Sequence, residues 1–195
     1  MLKYKQSKCS RSGRVDKVSY SQITKKALAE SMKELMLKYP VKKINVKDIA
    51  EGCSLNRQSF YYHFRDKYDL INWIYYTEFV SNIDKLSVSS SWDILLKTCN
   101  YFYENKKFYR SAFQENGQNS FSEYFIEVLH PILFAKLRDV FKNNKNVEFY
   151  VSFYEDAIRA SISRWLIEES DIKPDQFVKL LKKAVEVAAK RLHED

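Results

Sequence analysis

Arg57, Gln58 and Ser59 stand side by side in this sequence, followed at once by Phe60, Tyr61, Tyr62, His63 and Phe64. On a helix, Phe60 and Phe64 share one face and leave Arg57, Gln58, Ser59, Tyr61 and Tyr62 on the others. The chemistry of that second set is the chemistry of reading nucleic acid. An arginine donates two hydrogen bonds to a guanine edge, and a glutamine pairs with an adenine edge. Ser59 is small enough for close approach. Tyr61, Tyr62, His63 and Lys67 suit phosphate contacts, which position a protein on a duplex without reading its sequence. Lys47 has the reach for a base or a phosphate. Tyr61 and Tyr62 also suit covering the edge of a core, and His63 suits bracing the junction with the next helix.

No comparable set points to catalysis. The three histidines, His63, His130 and His193, are scattered, and Gly13, Gly52 and Gly117 are the only glycines, so a Gly-rich phosphate loop cannot be built. Neither a serine-centred elbow nor an HExxH motif is present. Cys9, Cys53 and Cys99 are odd in number, and no Cys or His pair has metal-ligand spacing. The expectation is a non-enzyme without catalytic residues, metal or cofactor, with its thiols buried or free in a reducing compartment.

The elements that must position Arg57 and Gln58 are helical by composition. Only three glycines and three prolines occur in 195 residues, while 45% are hydrophobic. No run of about 18 apolar residues is present, so no membrane span is expected. The basic N-terminus has no apolar segment after it, unlike a secretory signal, which points to the cytoplasm. Of the formal charge of +8, residues 1–20 contribute +5 and residues 21–80 contribute +3, while residues 81–195 are neutral. That asymmetry predicts an N-terminal part that binds a polyanion and a neutral C-terminal part.

Residues 1–18 read as a flexible basic arm that adds non-specific affinity. A first helix capped by Ser19 or Ser21 then carries an apolar face, Ile23, Ala27, Leu28, Met32, Leu35, Met36 and Tyr39, and stops before Pro40. Asn45 is a good N-cap with Asp48 three residues on, and Val46, Ile49 and Ala50 face inward. Asn56 caps the helix that holds Arg57. Lys67 to about Leu86 reads as one longer helix, and 87–91 as a polar linker. Helices follow over 92–105, 107–115 and 120–142, the last kinked or split at Pro131. The final two span 147–168 and, opened by Pro174, the remaining C-terminal stretch.

Asn45–Gly52, Cys53–Asn56 and Arg57–His63 fit a helix-turn-helix: a supporting helix, a tight turn and a helix free to enter the major groove. The residue order is more specific than the scheme. Val-x-Asp-Ile-Ala at 46–50, the cap and polar residues at 56–59, and Phe-Tyr-Tyr-His-Phe-x-x-Lys at 60–67 with Leu70 resemble the TetR family of transcriptional regulators. The resemblance is close over about residues 20–70 and architectural beyond. It implies an all-α protein with a three-helix DNA-binding domain at 19–66 and a helical regulatory and dimerisation domain at 67–195. Val46, Ile49, Ala50, Leu55, Phe60 and Phe64 match the family's helix-turn-helix core. Arg57, Gln58, Ser59 and Lys47 match base-reading positions, and Tyr61, Tyr62, His63, Lys67 and Asn45 fall with the backbone contacts. The chain departs at Ser54, where the family has a turn glycine, and a somewhat strained turn is expected there.

The last two helices are apolar over more than one face, which calls for a second packing partner. A symmetric homodimer is the simplest answer, meeting through Tyr154, Ile158, Ile162, Trp165, Phe177, Leu181, Val185 and Ala188. The resemblance implies that such a dimer binds a near-palindromic double-stranded operator. Coupling would run through the helix beginning near Lys67, under control of an effector ligand or a coactivator protein at the C-terminal domain. The abundant aromatics of 92–125 read more readily as core than as pocket. Likeness of the C-terminal part to a subgroup of the family that activates dihydroxyacetone kinase genes implies a partner protein as effector. The contrasting expectation is a helical protein-interaction adaptor that does not bind DNA. Salt-dependent duplex binding separates the two.

Overall fold

The computed structural model describes residues 14–85, 90–115, 117, 119–169 and 171–192. Among them the regular structure is entirely helical. The α-helices are α1 (Arg14–Met36), α2 (Val46–Gly52), α3 (Arg57–His63), α4 (Lys67–Glu78), α5 (Ser91–Glu104), α6 (Lys106–Phe113), α7 (Phe121–Phe141), α8 (Val147–Ile167) and α9 (Pro174–Leu192). Short 3-10 turns at Val41–Lys43 and Val80–Lys85 complete it.

The three-helix unit forms where the spacing places it. Leu28, Ala29, Met32 and Met36 of α1 are buried with Ile49, Ala50, Phe60 and Phe64, while Val46 and Leu55 are partly buried against them. Ile23 and Tyr39 lie beyond that packed stretch of α1 and are exposed, contrary to the inward face expected for them. Helix α1 begins at Arg14, so Ser19 and Ser21 lie inside it rather than capping it, and residues 14–18 of the expected arm belong to it. The rest of the arm falls outside the described residues.

Helix α4 is shorter than its apolar pattern. It stops at Glu78 because side chains take over its last carbonyls: the Ser81 hydroxyl donates to Thr77 O at 3.0 Å, and the Asn82 amide donates to the same oxygen at 3.2 Å. The two faces of α4 pack on different halves of the molecule. Trp73 meets Phe64 of the helix-turn-helix unit edge-on, with ring centroids 5.6 Å apart. Tyr75, fully buried, packs on Phe102, Phe121 and Tyr109 at 5.4, 5.4 and 5.9 Å.

Those rings open an aromatic core that runs on through Phe113 and Phe125. Trp92 and Phe108 are buried as well, and Tyr101, Tyr103 and Tyr124 pack partly buried against the cluster. The aromatics of 92–125 therefore lie in or against the core, as their spacing predicts. Helix α7 runs unbroken through Pro131 rather than splitting there.

Most of the side chains expected to form dimer contacts at the C-terminus pack inside the single chain. Ile158, Ile162, Trp165, Phe177 and Val185 are buried inside the single chain. Trp165 stacks on Phe177 at 4.7 Å, and its indole N–H donates to Ile172 O at 2.8 Å. Tyr154 stacks on Phe141 at 5.1 Å, and Tyr154 and Leu181 pack partly buried against the core. Ala188 is half-buried. The breadth of these apolar faces is used mostly within the chain, where α8 lies on α7 and α6, and α9 on α5. What remains outside is Phe149 and Phe153 on α8, 64% and 53% exposed and stacked on each other, and Leu180 and Val187 on α9.

Candidate nucleic-acid interface

The supporting helix starts at a reciprocal cap. Asn45 Oδ1 accepts from the Asp48 backbone N–H at 3.0 Å, and Asp48 Oδ2 accepts from the Asn45 backbone N–H at 3.0 Å. Each bond satisfies a donor that the first turn of a helix leaves free. The same bonds engage the side chain of Asn45 in holding α2.

The turn after α2 explains the two small residues at 52 and 54. The Leu55 N–H donates to Ala50 O at 2.9 Å and the Ser54 N–H to Glu51 O at 3.1 Å. That pair of bonds is the Schellman closure, which places the residue after the C-cap in the left-handed region. Ser54 occupies that place with φ 58°, where glycine would be relaxed. The nearby glycine answers a different demand. A Cβ on Gly52 would sit 2.3 Å from Ser31 Oγ, whose hydroxyl donates to Ile49 O at 2.7 Å. Position 52 is therefore small so that α1 can approach α2, and position 54 carries the turn strain expected for it.

Helix α3 is capped by Asn56, whose Oδ1 accepts from the Ser59 N–H at 2.8 Å and from the Ser59 hydroxyl at 3.0 Å. Ser59 is thus tied into the cap and half-buried, while its neighbours Arg57 and Gln58 are exposed. Arg57 Nη2 donates to the Tyr61 hydroxyl at 3.2 Å, and its guanidinium lies 5.5 Å from the centre of that ring. Tyr61 meets Phe60 edge-on at 5.6 Å, so it covers the core edge and orients Arg57 at once. Tyr62 is 82% exposed and projects freely. His63 is half-buried between Tyr62 and Phe64. Burial, with Lys25 adding to it, lowers its imidazole pKa, which favours the neutral ring of a brace over a phosphate-binding cation.

Lys67 departs from the backbone-contact expectation most clearly. Its Nζ donates to Val41 O at 2.6 Å, to Ile44 O at 2.8 Å and to Lys42 O at 3.4 Å. The ammonium has three protons, and all are spent on the carbonyls that end the 3-10 turn at Val41–Lys43. Burial lowers its pKa, against the opposing charges of Glu115 and Asp66. Lys67 therefore braces α4 against the loop that precedes α2.

Lys42, exposed in that loop, was not among the expected contacts. With Lys47 and Arg57 it rims an open hollow of about 590 Å³ between the loop, α2, α3 and the start of α4. Its signal in the sequence is the basic pair Lys42-Lys43 directly after Pro40. The Lys47–Glu51 pair at 3.7 Å is exposed on both sides, and pairs of that kind contribute little, so Glu51 holds Lys47 only weakly. The hollow together with the Arg57–Gln58 tip and Tyr62 makes one exposed, basic and aromatic face at the end of the unit.

Comparison with known proteins bears on what such a face does. Residues 28–74 match the family model described as "Bacterial regulatory proteins, tetR family", and residues 90–186 match one described as "Transcriptional regulator C-terminal region". The chain is 28% identical over 167 residues to the HTH-type dhaKLM operon transcriptional activator DhaS of Lactococcus lactis subsp. lactis (strain IL1403), covering 84% of this chain and 87% of that protein. Among solved structures, a TetR transcriptional regulator from Streptococcus agalactiae 2603V superposes with TM-score 0.71 at 19% identity, covering 88% of this chain and 98% of that one. A dihydroxyacetone kinase operon activator DhaS gives 0.61 at 24% identity, covering 88% and 97%. These relatives are regulators of transcription.

Proposed function

The chain belongs to the TetR family of DNA-binding transcriptional regulators, and from that premise we propose that it grips a near-palindromic operator as a homodimer and reads bases with Arg57 and Gln58. One observation carries the reading of bases. Arg57 and Gln58 are exposed at the first turn of α3, while Phe60 and Phe64 anchor the opposite side of that helix. In a dimer, two such helices would enter successive major grooves about 34–36 Å apart. Lys42, Lys47 and Tyr62 supply backbone contacts, with Tyr61 setting the direction of Arg57. Ser59 and Asn45 act through the helix caps they build, and Lys67 and His63 through the packing they brace.

Dimerisation is assigned to the apolar side chains left outside the fold, Phe149 and Phe153 on α8 with Leu180 and Val187 on α9. The likeness to an activator of a dhaKLM operon supports dihydroxyacetone kinase genes as the regulated target. Control falls to the second domain, whose aromatic core grips α4 through Tyr75.

Titrating duplex DNA at rising salt tests the proposal. Affinity falls steeply with salt when lysines and arginines displace counterions from phosphates. Salt-independent or absent duplex binding contradicts it and favours a protein-interaction adaptor. Sedimentation at micromolar protein checks the dimer, and a stable monomer contradicts that part.

A further inference from the structure

Where the two halves meet, a cleft of about 410 Å³ opens between α1, α4, α5 and α6. That volume is at the small end of the range for ligand sites. Leu37 in the turn just after α1, Ile74 of α4 and Phe108 of α6 provide apolar wall, and Leu37 is 59% exposed there, a large aliphatic side chain without cover.

The polar side of the cleft is a chain of hydrogen bonds that crosses the domain junction. The Tyr109 hydroxyl donates to the Tyr101 hydroxyl at 3.1 Å, and Tyr101 donates to Glu78 Oε2 at 2.8 Å. The other Glu78 oxygen accepts from the Lys33 ammonium of α1. Both oxygens of the Glu78 carboxylate are thus occupied, and its charge is balanced by Lys33. Burial by itself would lower the Lys33 pKa, but Glu78 and Glu30 together hold it above the usual value, so Lys33 stays cationic. The remaining lining charges are Glu104, Lys106 and Lys107, an excess of one positive charge. Lys106 lies over the Tyr103 ring at 5.9 Å, while Lys107 is exposed at the first turn of α6.

We propose that this junction cleft binds a compact organic anion, its apolar body on Leu37, Ile74 and Phe108 and its carboxylate on Lys107 and Lys106. One wall belongs to the α1 of the DNA-reading unit, and the other to α6 of the second domain. An anion that touches both fixes their relative position, and so the placement of α3. Its effect on operator binding rests on the function proposed above; its binding does not. By linkage, whatever factor it changes in operator affinity, operator changes in its own affinity.

The test uses the full chain and two variants at exposed positions, Lys107→Glu and Leu37→Asp, with circular dichroism to confirm that both fold. Calorimetric titration with benzoate, without DNA, should saturate. Lys107→Glu should weaken benzoate at least tenfold while leaving the neutral probe benzyl alcohol unchanged, and Leu37→Asp should weaken both. Failure of benzoate to saturate, or equal binding by both variants and the parent, overturns the site and leaves a partner protein as the effector. In a second arm, benzoate should shift the midpoint of operator binding by the parent and not by Lys107→Glu. Absence of any operator binding counts against the proposed function alone, because the calorimetric result stands without DNA.

Discussion

The DNA-reading unit and the second domain both have apolar cores and capped helices, with Ser90 on α5 and Ser120 on α7 in the second, but they differ in what is added to these. In the first, polar side chains fix backbone at three successive helix starts: Asn45 on α2, Asn56 on α3, and Asp66, which accepts from the Tyr68 and Asp69 N–H groups at 2.8 Å, on α4. Lys67 ties the loop before α2 to the start of α4. In the second, rings from α4, α5, α6 and α7 pack around Tyr75 and Phe102. Directional bonds suit a unit that must present Arg57 and Gln58 in one geometry. Ring packing is less directional, and it suits the proposed role of passing a shift along α4.

The difference sets what each substitution should do. The largest effect is expected where the two kinds of support meet, at Phe64 against Trp73. Phe64→Ala should destabilise the fold by about 3–5 kcal/mol in denaturant titrations, because it empties a fully packed site. A loss below about 1 kcal/mol would mean that polar bonds alone hold the unit.

Lys67→Met separates a brace from a DNA contact. As a brace, its loss removes the bonds to the part-buried Val41 and Ile44 carbonyls, of which Val41 O keeps the Ile44 N–H, and should lower stability by about 1–3 kcal/mol. Unchanged stability with reduced salt-dependence of operator binding would instead return Lys67 to the phosphate contacts.

Ser54→Gly should be a gain. Relief of the left-handed strain at a non-glycine residue, offset by the greater freedom of glycine in the unfolded chain, should leave about 0.5–1 kcal/mol of stabilisation in the same titration. A destabilised variant would show that the Ser54 side chain supports the turn.

The smallest effect concerns His63. Its pKa in the fold lies below the usual 6.5 because it is half-buried beside Lys25. Above that value both folded and unfolded forms are neutral and stability is full. As the pH falls through it, the unfolded chain takes up the proton first and stability declines, until the folded form protonates as well. Replacing His63 with Gln should flatten this slope in melts across pH 5–8; an unchanged slope would place the proton uptake on another group.

How much was legible follows the same division. Caps at Asn45 and Asn56, the inward pair Phe60 and Phe64, and the exposure of Arg57 and Gln58 depend on residues within four positions of one another, so spacing alone predicts them. The end of α4 and the start of α1 differ from what the apolar pattern predicts. The first is set by side-chain bonds from Ser81 and Asn82 to Thr77, and the second follows a basic stretch with no periodic signal. The role of Lys67 was hidden because its partners Val41 and Ile44 are backbone oxygens more than twenty positions away. Dimer contacts are hard to read from spacing for a related reason. A broad apolar helix face does not say which part is covered by the same chain, and Trp165 and Phe177 cover each other. What spacing left unread was Phe149 and Phe153, the pair the fold leaves outside.

The exposed tip of α3 is proposed to read bases, with Arg57 as its chief reader. Selection of binding sites from a random duplex pool, run in parallel for the parent chain and for Arg57→Ala at one fixed salt concentration, tests it directly. The account predicts a near-palindromic site for the parent. For the variant it predicts loss of preference at one base position in each half-site, with affinity for the parent's site lowered by about 1–3 kcal/mol. An equal loss of affinity on every sequence, with the base preferences intact, would contradict it and reduce Arg57 to a phosphate contact.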